Sequence, residues 1–367
     1  MLLSFLTSFI GLAVAATNPI DTFANVTVFQ PDSGAVSYAR TESLTNGTLL
    51  ATWSDFAAAN NTIPIYRSAD NGFSWYTFGS VTSDTEGRRL VQPHLLYLNE
   101  SFGDWDAGSV LLAVNAVDDK STNIEVYGSA DSGESWSFVS TVATGGKANT
   151  TNGATPVWEP FLMMTNHKVV CYYSDQRDTQ HGQKLSHQTT SESLDAWGSA
   201  VDDVAFSNYS DRPGMTTVAK LPNGKYILTF EYAMLNATGK YRYPIYYKIS
   251  NDPENFGTEK AYRINVNTGV QPNGGPYVTW SPIGGVNGTI VVSDSDHNSI
   301  FVNRALGDGI WTEVKTPAGR AYSREVRIPT NDETKLRIAG GAEYGQTDPS
   351  QVLLTIMDLA KALNITS

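Results

Sequence analysis

A single cysteine, Cys171, among 367 residues rules out a disulfide framework. Its place in the apolar run Lys168–Tyr173 marks it as a small buried hydrophobe rather than a nucleophile. Positive charge is also scarce: 25 Lys and Arg face 37 Asp and Glu, for a net charge of -12. No basic run could follow a phosphate backbone, so no nucleic-acid partner is expected. The five histidines lie without ligand spacing, and no metal or other cofactor is expected. Past the N-terminus there is no apolar run long enough to span a membrane, no heptad register and no low-complexity linker. One domain over residues 17–367, acting as a monomer without a membrane partner, is the economical expectation.

The N-terminal run MLLSFLTSFIGLAVAA is too short to span comfortably and ends in small residues of the Ala13-x-Ala15 kind, so residues 1–16 read as a signal peptide. Export is also indicated by Asn-x-Ser/Thr acceptors at Asn25, Asn46, Asn60, Asn99, Asn149, Asn208, Asn236, Asn287 and Asn364. A secreted, extracellular glycoprotein is expected.

The most regular feature is an octad, SADNGFSW at Ser68–Trp75, which returns as SADSGESW at Ser129–Trp136. Asp70 and Asp131 can accept from nearby backbone N–H groups, while Gly72 and Gly133 permit the positive φ of a tight turn. Before each octad, at matching distance, runs a strand-like segment: GTLLATWSDF from Gly47 and GSVLLAVNAV from Gly108. The same kind of segment recurs from His167, Gly224, Gly288 and Thr334, each with another short strand upstream, giving six units. Four strands per unit predict an all-β, six-bladed β-propeller of antiparallel sheets. In the fifth unit the octad decays to ALGDGIW, keeping Gly309 and Trp311. The sixth lacks a fourth strand, which the N-terminal run Asn25–Pro31 can supply, closing the ring and removing its exposed edges.

Such a ring brings the starts of the first strands and the ends of the second strands to one face near the axis, with the octads opposite. The residues there are unlike ordinary strand residues. First-strand openings supply Arg40, Gln92, His94, Trp158, Glu159, Arg212, Gln271, Asn273, Tyr322 and Arg324; second-strand ends supply Asp55, Asn115, Asp175, Arg177, Glu231, Tyr232, Asp294, Asp296, His297 and Glu343. Carboxylates, arginines and aromatics around one funnel suit a polar, ring-shaped ligand such as a sugar. Glu159, between Trp158 and Pro160, and Glu231, ending the apolar strand YILTFEYA, stand out as carboxyls set among aromatics. Desolvation raises a carboxyl pKa toward the range of a general acid, and glycoside hydrolysis requires a pair of carboxyl groups. Structural salt bridges to axial arginines are the alternative reading of the same pair.

The octads are similar to the Asp-boxes of the sialidase superfamily. Across the rest of the chain, PVWEPF, RPGMTTVAKLPNGKYILTFEYA, QPNGGPYVTWSP and AYSREVRI resemble the exo-α-L-arabinanases of glycoside hydrolase family 93. The resemblance implies a retaining enzyme that releases arabinobiose from linear α-1,5-L-arabinan of plant cell walls or from arabino-oligosaccharides. It matches the family's catalytic glutamates to Glu159 and Glu231 and a substrate-contacting tyrosine to Tyr322. Arg40, Trp158, Asp175, Arg177, Arg212, Tyr232, Gln271, Asn273 and Arg324 are the further substrate-binding candidates. Within the pair, Glu231 is expected as nucleophile, positioned by Tyr322 and Tyr232, and Glu159 as acid/base, its setting being the more apolar.

Two rival readings are a sialidase and a non-catalytic secreted carbohydrate-binding propeller. Arg40, Arg212 and Arg324 could imitate the sialidase arginine triad. Against this, Tyr38-Ala39-Arg40-Thr41-Glu42 stands where sialidases carry Arg-Ile-Pro, and Glu42 would repel a substrate carboxylate. Both glutamates in their motifs argue against a merely binding protein.

Overall fold

The computed structural model describes residues 20–56, 61–235 and 238–365; the proposed signal peptide and the acceptors Asn60 and Asn236 lie outside them. The described residues form six antiparallel sheets arranged as the blades of a propeller. Blade one runs through Val36–Ser43, Leu49–Asp55, Ile63–Ser68 and Tyr76–Val81, from the axis outward, and the next blades repeat this order. Blade four carries an unanticipated short strand, Tyr241–Arg242, paired with the end of its second strand. Blade six takes Glu325–Arg327, Lys335–Gly340 and Val352–Asp358 from the C-terminal end and Phe23–Phe29 from the N-terminal end, pairing Thr27 with Leu353. The ring is therefore closed by strand pairing between the two ends of the chain.

The blades adhere through their buried faces. Leu111, Ala113 and Ile124 of blade two pack against Leu162, Val169, Cys171 and Tyr173 of blade three. Burial pushes the Cys171 thiol well above its ordinary pKa, as befits an inert core residue.

The octads are built as their residues dictate. In each, the first Ser accepts the Gly N–H at 2.8 Å, the Asp accepts the N–H of the second Ser at 2.9 Å, and the Trp indole donates to the Gly carbonyl at 3.0 Å. Gly133 has φ +97°, and a Cβ there would lie 2.6 Å from Leu50 Cδ1 of the preceding blade. In blade five the counterpart is Gly307 rather than the expected Gly309. Asn303 takes over the Ser role, accepting Gly307 N–H at 2.9 Å, and a Gly307 Cβ would meet Ile249 Cδ1 at 2.5 Å.

A second sixfold repeat, invisible in the composition of the strands, lies at the funnel. Tyr38, Gln92, Glu159, Met215 and Ser323 all have φ between 53° and 59°, and Gly275 of blade five has φ +44°. In blades one to four the residue sits at a break in register between the first two strands. The left-handed backbone costs about 1–3 kcal/mol locally at each non-glycine position. Their N–H groups are taken up around the ring: Gln92 donates to Ser54 Oγ, Glu159 to Gln92 Oε1, Met215 to Glu159 Oε2 and Gly275 to Glu231 Oε2. Below this ring Phe161 packs on His94 at 4.2 Å and on Tyr277 at 5.9 Å. This plug separates the funnel from a vestibule of about 310 Å³ on the octad face.

Candidate active site

Glu159 and Glu231 come together at the funnel floor from blades three and four. Glu159 lies on the inner strand Val157–Thr165, and its left-handed backbone breaks the alternation that would otherwise place neighbours on opposite faces. Its Oε2 accepts Ser174 Oγ–H at 2.9 Å and Met215 N–H at 3.0 Å. Glu231, buried near the end of Tyr226–Leu235, accepts Gly275 N–H at 2.6 Å on Oε2 and Tyr322 O–H at 3.3 Å on Oε1. Gly214 stands between them: a Cβ there would lie 3.7 Å from both Glu159 Oε2 and Glu231 Cγ.

Their surroundings differ. Burial raises the Glu231 pKa to about 8, with the Glu159 charge adding to the effect and the Gly275 and Tyr322 hydrogen bonds opposing it. Burial also raises Glu159, but the Ser174 and Met215 donors and the Arg212 guanidinium work to retain its charge. Both carboxyls are pushed toward the neutral form, with more groups opposing the shift at Glu159. Burial and the neighbouring glutamates keep Tyr38 and Tyr322 as neutral phenols.

The other expected site residues divide into supports and bystanders. Arg212 is held by Asn152, Gly182, Gln176 and Gln183, and Trp158 shares Gln176 by donating its indole N–H at 2.9 Å. Asn273 clamps blade five to the blade-four loop, accepting Tyr243 N–H at 2.7 Å and donating to Asp296 at 2.9 Å. Tyr232 does not position Glu231. As its neighbour on a strand it points to the opposite face, packed on Phe206 and Tyr246 at 5.0 and 5.7 Å. Asp175 and Arg177 satisfy each other in a two-pronged pair at 2.9 and 2.7 Å, with Arg177 also donating to Tyr173. Gln271 is exposed and donates to the carbonyl of Gly269.

Arg40 and Arg324 are also displaced from their expected role. Arg40 is buried under the funnel, donating to the Ala39 and Ser323 carbonyls and the Ser323 hydroxyl. Arg324 is fully buried and donates to the carbonyls of Gly319 and Ser299. With Arg212 held elsewhere, the three guanidinium groups do not converge, and no arginine triad exists among the described residues. Asp294 is buried, with His297 Nδ1 at 2.6 Å and Asn273 N–H at 3.0 Å. Among the described residues no group of three His, Cys, Asp or Glu side chains could hold a metal ion.

Sequence reasoning passed over Tyr38, Ser174, Gly214 and Gly275, and named Gln92 only as one funnel residue among many. Gln92 accepts from Glu159 N–H and Asn115, and donates to Tyr38 at 3.1 Å. The doubled glycine of QPNGGP was the legible signal for Gly275. Ser174 carried none beyond its place beside a strand-end carboxylate.

No family model and no curated protein matches the chain. Solved structures do. An α-L-arabinanase from Penicillium chrysogenum, complexed with arabinobiose, is 41% identical over 93% of this chain and 99% of its own, with a TM-score of 0.87. A GH93 α-L-arabinofuranosidase of Fusarium graminearum, also with arabinobiose, is 40% identical over the same shares, with a TM-score of 0.88. A sialidase from Streptococcus pneumoniae, 11% identical over 95% of this chain and 71% of its own, has a TM-score of 0.63 and shares the fold alone. With full-length similarity at this identity, the chain belongs to glycoside hydrolase family 93.

Proposed function

We propose that this protein is a secreted, monomeric, retaining exo-α-L-1,5-arabinanase that releases arabinobiose from the end of linear α-1,5-L-arabinan or arabino-oligosaccharides. The observation that carries the reading is the pair itself: two carboxyls at the funnel floor across the gap at Gly214, Glu159 held by the Ser174 and Met215 donors and Glu231 by Gly275 and Tyr322. Two relatives hold arabinobiose. The plugged axis supports an exo mode, since a chain end entering the funnel cannot pass through the ring.

The same electrostatics favour the reverse of the order expected from sequence. Glu159, with Ser174, Met215 and Arg212 stabilising its charge, attacks the anomeric carbon as the bond to the leaving oxygen breaks. Glu231, whose Oε2 is occupied by Gly275 N–H, delivers its proton from Oε1 to that oxygen. In the second step Glu231 takes a proton from water, whose oxygen displaces Glu159 with net retention. Tyr322 stays a neutral phenol and donates to Glu231, which helps to position it.

Product analysis on linear α-1,5-arabinan tests the function. Arabinobiose alone is the expected product; a ladder of oligomers overturns the exo mode, and binding without release leaves only a carbohydrate-binding propeller. Hydrolysis of a sialoside with no release from arabinan would favour the sialidase reading. Secretion is tested by sequencing the N-terminus of the exported protein, expected to begin after Ala16.

A further inference from the structure

Five tyrosines form a continuous aromatic path out of the site. Tyr38 meets Tyr322 edge-on at 5.7 Å, Tyr322 meets Tyr344 at 5.0 Å, Tyr344 meets Tyr243 at 5.8 Å, and Tyr243 stacks with Tyr241 at 6.3 Å. It leads from buried Tyr38, through half-buried Tyr322 and Tyr243, to the exposed rings of Tyr344 and Tyr241, 64% and 59% exposed. Exposed tyrosines on a rim are ordinarily costly apolar surface, yet here the backbone that carries them is fixed. Tyr243 N–H donates to Asn273 Oδ1 at 2.7 Å and its carbonyl accepts Gly274 N–H at 2.8 Å. Tyr241 lies in the short strand added to blade four.

We propose that Tyr344, Tyr243 and Tyr241 form a binding track for the arabinan chain on the leaving-group side of the scissile bond, beyond the residues that carry the chemistry. The inference rests on the functional reading above. The path turns outward at Tyr322, which touches Glu231, the group placed in that reading to protonate the leaving oxygen, so the leaving sugar lies where the outer tyrosines start. The polymer must then run outward, because the axis is plugged beneath. Tyrosine supplies a rigid apolar face for the C–H surface of a sugar ring and a hydroxyl for its edge. On the same rim Arg320 pairs with Glu343 at 2.9 Å and Arg242, beside Tyr241 in the strand, with Asp296 at 4.0 Å.

The test compares kcat/KM for linear α-1,5-arabinohexaose and arabinotriose in the parent enzyme, Tyr241→Ala, Tyr344→Ala and the double variant. The hexaose-to-triose ratio is expected to fall about tenfold in the double variant, chiefly through KM, with Tyr344→Phe keeping the parent ratio because the ring remains. An unchanged ratio overturns the track, whether both substrates are unaffected or both are lost together. Parent turnover of arabinotriose separates the two levels of failure. Without it the arabinanase reading falls and takes the track with it; with it and an unchanged ratio, the track alone falls.

Discussion

Asp131 in an octad turn and Glu231 in the funnel are both carboxyls near a sheet end, yet their proton affinities differ widely. For Asp131 slight burial acts upward, but Ser135, Ser129 and the turn N–H groups outweigh it and hold the pKa at about 2. For Glu231 burial dominates, Glu159 reinforces it, and two donors are too few to compensate, giving about 8. Charge is retained where a carboxyl meets donors and water together; it is lost where an apolar floor and a second carboxyl meet it. The octad lowers the proton affinity of its acid, and the funnel raises that of the acid it encloses.

The sharpest way to break this contrast is to remove each glutamate. Glu231→Ala is expected to lose about 10²- to 10⁴-fold in kcat on arabinan. With an activated aryl arabinoside, added azide should restore turnover and give a glycosyl azide of retained configuration. Glu159→Ala should be as damaged or more so on both substrates, azide giving the inverted product. An inverted azide from Glu231→Ala would restore the order expected from sequence.

Gly214→Ala probes the gap itself. Its Cβ would reach ordinary contact with both glutamates but only 3.2 Å from Gln183 Nε2, so the protein should fold while kcat/KM falls roughly 10- to 100-fold through misplacement of the substrate. Full activity would show that the reacting bond passes elsewhere.

Protonation supplies a third test. Free-enzyme kcat/KM should decline above about pH 8 as Glu231 loses its proton. Because its folded pKa lies above the unfolded value, the native state binds the extra proton between roughly pH 4.5 and 8, and the stability this gives is lost as pH rises through that window. Glu231→Gln should therefore raise the Tm over the parent more at pH 9 than at pH 4. Asp131 carries the opposite sign: its contribution is present above about pH 4 and lost as pH falls toward 2. Asp131→Asn should thus lower the Tm at pH 7 more than at pH 2.

The smallest effect on catalysis is expected where the backbone is most constrained. Gly133→Ala places a side chain at φ +97° against Leu50, which should cost roughly 1–3 kcal/mol in chemical unfolding and leave kcat near the parent value. A large loss of kcat would mean that the octad face and the funnel are coupled.

Much of this contrast was readable in the sequence. The octad is local: its Ser, Asp, Gly and Trp satisfy one another within eight residues, so its chemistry is spelled by adjacent letters. Glu159 and Glu231 were legible because acids are conspicuous among apolar and aromatic neighbours. Their surroundings were not. Tyr232 and Arg40 could be placed at the funnel by strand position, but their facing depends on pleat and on bulges that shift register by a residue. The Asn303-for-Ser exchange hid the blade-five glycine in the same way, since hydrogen-bonding role rather than residue identity was kept.

The sequence by itself determined the number of blades, the closure of the ring and the two acids, because each depends on local turn chemistry, apolar periodicity or composition. Only the tertiary structure decided which donors surround each acid and which arginines are spent on carbonyls. Those outcomes depend on partners brought from other blades: Met215 donates to Glu159, Gly275 and Tyr322 donate to Glu231, and Ser323 accepts from Arg40. A carboxyl's pKa and a side chain's direction are properties of what surrounds it in space, and here that surrounding is assembled from residues as far apart in sequence as Arg40 and Ser323.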